Sequence, residues 1–220
     1  RLFSEIIAIW VVTFWKSIGS PKKFNLLELG AGNGEMMKVI ILTIKNFPEC
    51  FDNCNFQIHE KSNFLKNEQK KNLKFDNITW VDDIKKLDSN PTIFIANEFF
   101  DALPIKQFFK KNGGWVERFV DLKKIDKPKF EDRLIDIKKI EKELNFEISK
   151  DQEIIEYSPS SFNYLKNICS IINKNDGGLL MIDYGYLNSK MQETLQAINK
   201  HKYSNVLEDI GQSDITYNIN

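Results

Sequence analysis

The stretch that decides the fold is Glu28-Leu29-Gly30-Ala31-Gly32-Asn33-Gly34. It completes the short apolar segment 24–29 and precedes a segment with apolar residues at helical spacing, namely Met36, Met37, Ile40, Ile41 and Ile44. The predicted order is strand, tight turn and helix. Glycine permits positive φ and close backbone approach, and the first amides of a helix lack intrahelical partners. The turn is therefore suited to contact with a ligand.

The glycine spacing narrows the class of ligand. Three of the ten glycines occupy alternate positions, which gives G-x-G-x-G and not the G-x-G-x-x-G of dinucleotide-binding turns. Glu35 would oppose a diphosphate at the helix start, whereas Glu28 can accept from a cationic amino group. These features favour S-adenosylmethionine, a nucleoside that carries an amino acid and no phosphate. An NAD-dependent dehydrogenase is disfavoured, and a tight turn without ligand is the structural alternative.

Strands and helices alternate through the first half of the chain. An amphipathic helix ending near Gly19 precedes the first strand, and a lysine-rich helix begins near Ser62. Apolar segments predict further strands at 56–59, 78–81 and 92–96. Alternation of this kind predicts an α/β fold with a mostly parallel, doubly wound sheet. Ligands bind such sheets at the carboxyl ends of the strands.

The alternation is interrupted after the fourth strand. Two apolar segments flank Lys111-Asn112-Gly113-Gly114, a sequence typical of a β-hairpin turn. Residues 121–150 are dominated by charge, which favours a solvated excursion with little binding role. We therefore predict a hairpin and charged insertion over 105–150. The doubly wound pattern is predicted to resume with a strand at Ile154 and Ile155.

Acidic residues follow the second and third predicted strands. Glu60 lies where one carboxylate can accept from two ribose hydroxyls, and Asp82 or Asp83 can accept from the adenine amino group. Of these two we choose Asp82. Each acid is equally consistent with an exposed charge at a strand end. The predicted cofactor-binding residues are Glu28, Gly30, Ala31, Gly32, Gly34, Glu60 and Asp82.

The most unusual stretch follows the fourth strand and reads Asn97-Glu98-Phe99-Phe100-Asp101-Ala102-Leu103-Pro104. If the substrate is arginine, its cationic guanidinium must be held by carboxylates, and Glu98 and Asp101 could form such a clamp on one face of a helical turn. A sulfonium methyl donor is already activated, so alignment suffices and no nucleophilic side chain is needed. We predict Asn97, Glu98 and Asp101 as catalytic residues. The alternative is that Asn97 or Asp101 caps a short turn, with Phe99 and Phe100 in the core.

Overall composition disfavours other classes of protein. With 31 basic and 31 acidic residues the net charge is zero, which argues against nucleic acid as a partner. No apolar run approaches the about 18 residues of a membrane span. Cys50 and Cys54 lack a second pair of ligands, so we predict core or loop thiols and no metal site. An ordinary polar role is favoured for His201 over that of a general base.

With these residues identified, the chain resembles the MidA family of S-adenosylmethionine-dependent methyltransferases. The resemblance is most specific in Asn97–Phe108 and extends over essentially the whole chain. The other segments that carry it are Ser4–Trp10, Leu27–Gly34, Ile182–Gly185, Glu193–Ala197 and Ser213–Thr216.

The resemblance implies a seven-stranded, Rossmann-like methyltransferase fold with S-adenosyl-L-methionine as cofactor. By similarity with mitochondrial members it implies methylation of arginine in a protein substrate, with a respiratory complex I subunit as the candidate partner. The alternative is a non-catalytic, cofactor-binding assembly factor for a respiratory complex. The implied location is the cytoplasm of a bacterium or the mitochondrial matrix of a eukaryote. Family members extend further at both ends, so residues 1–220 are expected to be a single methyltransferase domain that is a fragment lacking N- and C-terminal parts.

Overall fold

The computed structural model describes residues 1–123, 128–200, 202–208 and 210–220. His201 and part of the predicted charged insertion lie outside these ranges. The chain divides into two compact units. The first unit comprises Arg1–Phe99 and Asn163–Ile182, and the second comprises Phe100–Phe162 and Asp183–Asn220.

Helices and strands alternate through the first unit as predicted. The helices of the chain are α1 (Leu2–Ser17), α2 (Glu35–Ile44), α3 (Pro48–Asp52), α4 (Asn63–Asn72), α5 (Ile137–Leu144) and α6 (Pro159–Asn175). The first strands are β1 (Phe24–Leu29), β2 (Cys54–His59), β3 (Ile78–Trp80), β4 (Thr92–Asn97), β5 (Lys106–Lys111) and β6 (Gly114–Asp121). The remaining strands are β7 (Lys129–Ile135), β8 (Ile154–Tyr157), β9 (Gly177–Ile182), β10 (Gln196–Asn199), β11 (Lys202–Ser204) and β12 (Asp214–Thr216).

The first unit is built on a parallel sheet with strand order β3-β2-β1-β4-β9. All of its pairings are parallel, which confirms the predicted sheet type. β1 is the middle strand, and all six of its residues are buried. Within the described residues this sheet has five strands, whereas the family resemblance implied seven. Within the same residues, no helix has the length and apolar character needed to cross a membrane.

The second unit contains two antiparallel sheets with strand orders β7-β6-β5-β8 and β11-β10-β12. β5 and β6 form the predicted hairpin, in which Lys111 pairs with Gly114. The expectation that Ile154 and Ile155 resume the doubly wound pattern is wrong, because β8 pairs antiparallel with β5. Ile155 instead packs in a separate core with Phe108.

The charged stretch contributes to this second core. It forms β7 and α5, and Ile140 of α5 is buried in the same cluster as Phe108. The description of residues 121–150 as a purely solvated excursion is therefore wrong for this helix. The charged residues of α5 lie on one face of the helix, and its few apolar residues form the opposite face.

A polar network ties together the amino ends of three strands in the first unit. Asn25 of β1 is fully buried, and its Nδ2 donates to Asp88 Oδ1 at 2.7 Å and to Thr92 Oγ1 at 3.3 Å. Its Oδ1 accepts from Asn55 Nδ2 at 3.2 Å. The network lies at the end of β1 opposite to the glycines that follow the strand.

We predict that Asn25→Ala lowers the free energy of unfolding by about 1–3 kcal/mol, because it removes three hydrogen bonds of a fully buried amide, one of them to the buried Thr92. Urea denaturation measures this loss. Asn55→Ala is the matched control, since its side chain is exposed and it removes only one of the three hydrogen bonds of Asn25, so it is expected to cost less than Asn25→Ala. Equal losses of unfolding free energy in the two variants would show that the burial of Asn25 does not determine its contribution to stability.

Candidate cofactor site

The turn Gly30–Gly34, here called the glycine turn, joins the end of β1 to the start of α2. All three of its glycines have positive φ, at 65°, 54° and 85° in chain order. The Gly30 amide donates to the His59 carbonyl at 2.9 Å, and the Gly34 amide donates to the Ala31 carbonyl at 2.8 Å. The predicted sequence of strand, tight turn and helix is therefore confirmed.

Gly30 has a second reason to lack a side chain. A Cβ atom added there would lie 2.7 Å from Phe99 Cδ2, which is closer than atoms normally approach. The Phe99 ring therefore lies directly against the glycine turn. This contact brings the stretch after β4 to the end of β1, as expected for neighbouring strands that run parallel.

Glu28 is a buried carboxylate without a hydrogen-bond partner on one oxygen. Its side chain is 2% exposed, and its Oε2 has no partner among the described residues. Burial raises the pKa of Glu28 to about 8, because desolvation disfavours the charged form. A cation placed beside this oxygen would restore the ionised form. Glu28 thus has the chemistry of an acceptor for an amino group.

Glu60 follows β2 and is buried, so it is not an exposed strand-end charge. Its Oε1 accepts from the Ser62 amide at 2.8 Å, and its Oε2 accepts from Gln69 Nε2 at 3.3 Å. β1 and β2 pair in register, with Leu29 opposite His59. Glu60 and the glycine turn therefore begin from neighbouring positions at the carboxyl edge of the sheet.

Asp82 follows β3 and is exposed. Its Oδ1 accepts from Lys66 Nζ at 2.6 Å, and this hydrogen bond and charge pair lower the pKa of Asp82. Asp83, the neighbour not chosen from the sequence, accepts from the Lys85 amide at 3.0 Å and caps a short 3-10 helix at Ile84–Lys86. Asp82 is therefore an exposed acid paired with a lysine, whereas Glu28 and Glu60 are buried.

Sequence reasoning missed the contribution of α4 to this site. Gln69 donates to the Gly32 carbonyl at 2.8 Å, and Asn72 donates to the Asn33 carbonyl at 3.0 Å. Both amides hold the glycine turn from the side. The sequence carried no signal for this role, because the burial of Gln69 on a polar helix is seen only in the structure.

A buried pair formed by His59 and Tyr164 was also missed. His59 Nδ1 lies 2.8 Å from the Val81 carbonyl oxygen, which can only accept, so this nitrogen carries the proton. Nε2 then accepts from the Tyr164 hydroxyl at 2.8 Å. The Tyr164 ring lies edge-on to Phe99, with centroids 5.1 Å apart. The pair thereby holds the aromatic ring that covers Gly30.

The stretch after β4 is not helical at Glu98. Glu98 is exposed and left-handed, with φ of 47°, and its amide donates to the Ile182 carbonyl at 2.9 Å. The expectation of a helical turn that presents Glu98 and Asp101 on one face is therefore wrong. Asn97 is the last residue of β4 and pairs with Ile182 of β9.

In the second unit, Asp101 is buried and lies in a turn held by Asp183. The Asp183 Oδ2 accepts from the Phe100 amide at 3.0 Å and from the Asp101 amide at 3.3 Å. Phe100 is also buried, as the alternative interpretation of the aromatic residues proposed. In this unit the Asp101 carbonyl accepts from the Tyr217 amide at 3.2 Å.

We predict that Glu28→Gln removes a pH-dependent loss of stability. The pKa of Glu28 is about 8 when folded and 4.5 in its ordinary state, so the folded chain binds the extra proton between these values. Stability contributed by this proton is complete below about pH 4.5 and is lost as pH rises toward 8. The slope is at most about 1.4 kcal/mol per pH unit.

Urea denaturation from pH 5 to pH 9 measures this slope as the difference between wild type and variant. Glutamine is uncharged at every pH, whereas Glu28 of the wild type carries a buried charge above pH 8. Above this pH the variant is therefore expected to be more stable than wild type. The exposed Glu35→Gln is the control and is expected to keep the wild-type slope. Parallel curves for wild type and Glu28→Gln would contradict the burial of an unpaired carboxylate.

Comparison with known families identifies relatives of the whole chain. A family model described as "Putative S-adenosyl-L-methionine-dependent methyltransferase" matches residues 6–220. The mitochondrial protein arginine methyltransferase NDUFAF7 of Xenopus laevis is 28% identical over 247 residues, covering 100% of this chain and 55% of that relative. The Homo sapiens protein of the same name is 26% identical over 246 residues, with coverage of 100% and 55%. The chain spans about half the length of the curated relatives it matches.

Solved structures share the fold. A Burkholderia thailandensis protein bound to S-adenosyl-homocysteine matches with a TM-score of 0.79 and 20% identity, covering 99% of this chain and 57% of that chain. A native structure of a protein from the same organism matches with a TM-score of 0.78 and 20% identity, with coverage of 99% and 59%. This likeness confirms the predicted Rossmann-like methyltransferase fold. By the match over residues 6–220, the chain belongs to the family of S-adenosyl-L-methionine-dependent methyltransferases, and the resemblance to the MidA family is confirmed.

Proposed function

We propose that this chain binds S-adenosyl-L-methionine and transfers its methyl group to an arginine side chain of a protein substrate. The observation that carries the proposal is the unpartnered, buried Oε2 of Glu28 beside the glycine turn. Such an oxygen requires a donor, and the amino group of a methionine-derived cofactor is a cationic donor. Family membership and the name given to the curated relatives support the same activity.

The residues that would hold the cofactor fit its parts. Glu28 accepts from the amino group, the backbone of Gly30, Ala31, Gly32 and Gly34 allows close approach, and Glu60 accepts from ribose hydroxyls. Asp82 is our candidate acceptor for the adenine amino group, because the Lys66 contact keeps its carboxylate ionised. When bound, the cofactor supplies a methyl group that its sulfonium has already activated. The protein then has to align the substrate and exclude water.

Asn97, Glu98 and Asp101 are the proposed catalytic residues. An arginine guanidinium stays protonated in water, so carboxylates must hold and polarise it before its nitrogen can attack. The curated relatives are named protein arginine methyltransferases, which supports arginine as the substrate residue. Our candidate partner is a respiratory complex I subunit, as the family resemblance implies. The curated relatives are named mitochondrial, which supports the mitochondrial matrix if the source is a eukaryote.

We predict that Gly30→Ala weakens binding of S-adenosylhomocysteine by about tenfold or more, since the added Cβ must displace the Phe99 ring and a positive φ disfavours alanine. Calorimetry measures the affinity, and thermal denaturation measures the loss of stability. Gly19→Ala is the matched control, because Gly19 also has a positive φ but open space around its Cβ position. That control is expected to lose stability by about 1 kcal/mol and to keep its affinity. Unchanged affinity in Gly30→Ala would count against the glycine turn as the binding site.

We predict that Glu98→Gln combined with Asp101→Asn lowers methyl transfer by about a hundredfold or more while S-adenosylhomocysteine affinity stays within about twofold. The amides keep the shape of the acids but cannot neutralise a guanidinium. Mass spectrometry of arginine methylation in respiratory complex subunits provides the measurement, with the exposed Glu49→Gln as control. If complex assembly requires the chain while the wild type transfers no methyl group, the non-catalytic assembly factor is the correct alternative.

A further inference from the structure

The side chain of Gln69 joins two parts of the candidate cofactor site that come from different elements. It is fully buried on α4. Its Nε2 donates to the Gly32 carbonyl at 2.8 Å and to Glu60 Oε2 at 3.3 Å. Its Oε1 accepts from Trp80 Nε1 at 2.9 Å. One amide therefore links the glycine turn, the acid after β2 and the end of β3.

Trp80 determines the orientation of this amide. An indole N–H can only donate, so the atom that faces it must be the Gln69 oxygen. The amide nitrogen then faces the Gly32 carbonyl and the Glu60 carboxylate, and both of these groups accept. The opposite orientation would leave the indole N–H facing an amide N–H, and an oxygen facing two oxygens. The three contacts are therefore mutually consistent in a single arrangement.

The same contacts determine which hydrogen-bond acceptor positions of Glu60 remain available to a ligand. Each of its oxygens receives one protein donor, the Ser62 amide on Oε1 and Gln69 on Oε2. A carboxylate oxygen can accept about two hydrogen bonds, so each oxygen keeps one free acceptor position. Two such positions on one carboxylate match the two hydroxyls of a vicinal diol. The terminal torsion of a glutamate is broad, so the Ser62 amide alone would hold one oxygen and leave the plane of the carboxylate less firmly fixed.

We infer that Gln69 is a positioning residue, which holds the Glu60 carboxylate in the orientation that accepts from the ribose hydroxyls of the cofactor. The inference rests on the proposed role of Glu60 in cofactor binding. Gln69 does not itself touch the diol in this scheme. It acts through Glu60, while its second N–H keeps the Gly32 carbonyl, and with it the glycine turn, at a fixed separation from that acid.

The test compares two ligands, S-adenosylhomocysteine and its 2′-deoxyadenosyl counterpart, by calorimetry with the purified protein. The deoxy ligand lacks one ribose hydroxyl that would donate to the charged Glu60 carboxylate. Its binding to the wild type is therefore expected to be weaker by about tenfold or more. In Gln69→Leu, which keeps a similar size but has no donor, the preference is expected to fall below about threefold. General loosening of the site would weaken both ligands alike and leave their ratio unchanged, so the ratio separates positioning from a structural role.

Two further variants keep the test decisive. Trp80→Phe removes the donor that orients the amide but retains Gln69, and it is expected to reduce the preference even if Gln69→Leu does not fold. Asn72→Ala is the matched control, because Asn72 holds the glycine turn from the same helix without touching Glu60. This control is expected to keep the wild-type ratio.

Each outcome decides one question. A preference that persists in both Gln69→Leu and Trp80→Phe would overturn the positioning role of Gln69 while leaving Glu60 in place. A wild type that binds both ligands equally would overturn the role of Glu60 and the inference with it. A wild type that binds neither ligand would overturn the proposed cofactor site as a whole.

Discussion

An unpaired carboxylate in the middle of the parallel sheet is the constraint on which the rest of the site depends. Glu28 belongs to a strand whose six residues are all buried, and its Oε2 has no hydrogen-bond partner among the described residues. Ionisation there is costly, which is why the pKa of Glu28 rises to about 8. Protonation of Glu28 avoids this cost, and a cationic ligand beside the carboxylate offsets it. A strand position that loses stability when ionised is consistent with the cofactor-binding role proposed for Glu28.

The groups that hold the glycine turn and Glu60 have hydrogen-bond partners, whereas Glu28 Oε2 has none among the described residues. Glu60 receives a donor on each oxygen, and Gln69 uses its oxygen and both of its N–H groups. The glycine turn is held from β2 through the His59 carbonyl and from α4 through two amide side chains. Partnered groups around an acceptor that still lacks a donor form the arrangement that preorganised binding requires. In the proposed function, the amino group of the cofactor supplies the donor that Glu28 Oε2 lacks.

The features that the sequence predicted are those with local causes. Glycine spacing and apolar periodicity act over a few residues, so the turn, β1, α2 and the β5–β6 hairpin were predictable. The sequence did not predict which sheet β8 joins, because the four residues of this strand do not indicate their partner strand. The His59–Tyr164 contact joins residues 105 positions apart, and nothing in either neighbourhood indicates it. The left-handed Glu98 was missed because its residue type does not favour positive φ.

In the first unit, Glu98 is held by the end of β9, and not by a helix. In the first unit the Ile182 carbonyl accepts from the Glu98 amide, and in the second unit the next residue, Asp183, accepts from the amides of Phe100 and Asp101. A left-handed glutamate costs about 1–2 kcal/mol and persists only where its surroundings fix it. In the first unit, the Ile182 contact holds the backbone just before Phe99, whose ring lies against Gly30. Strain retained beside a glycine turn, in a stretch that carries two acids, supports a functional role for that stretch, because a purely structural loop would gain stability by replacing Glu98 with glycine.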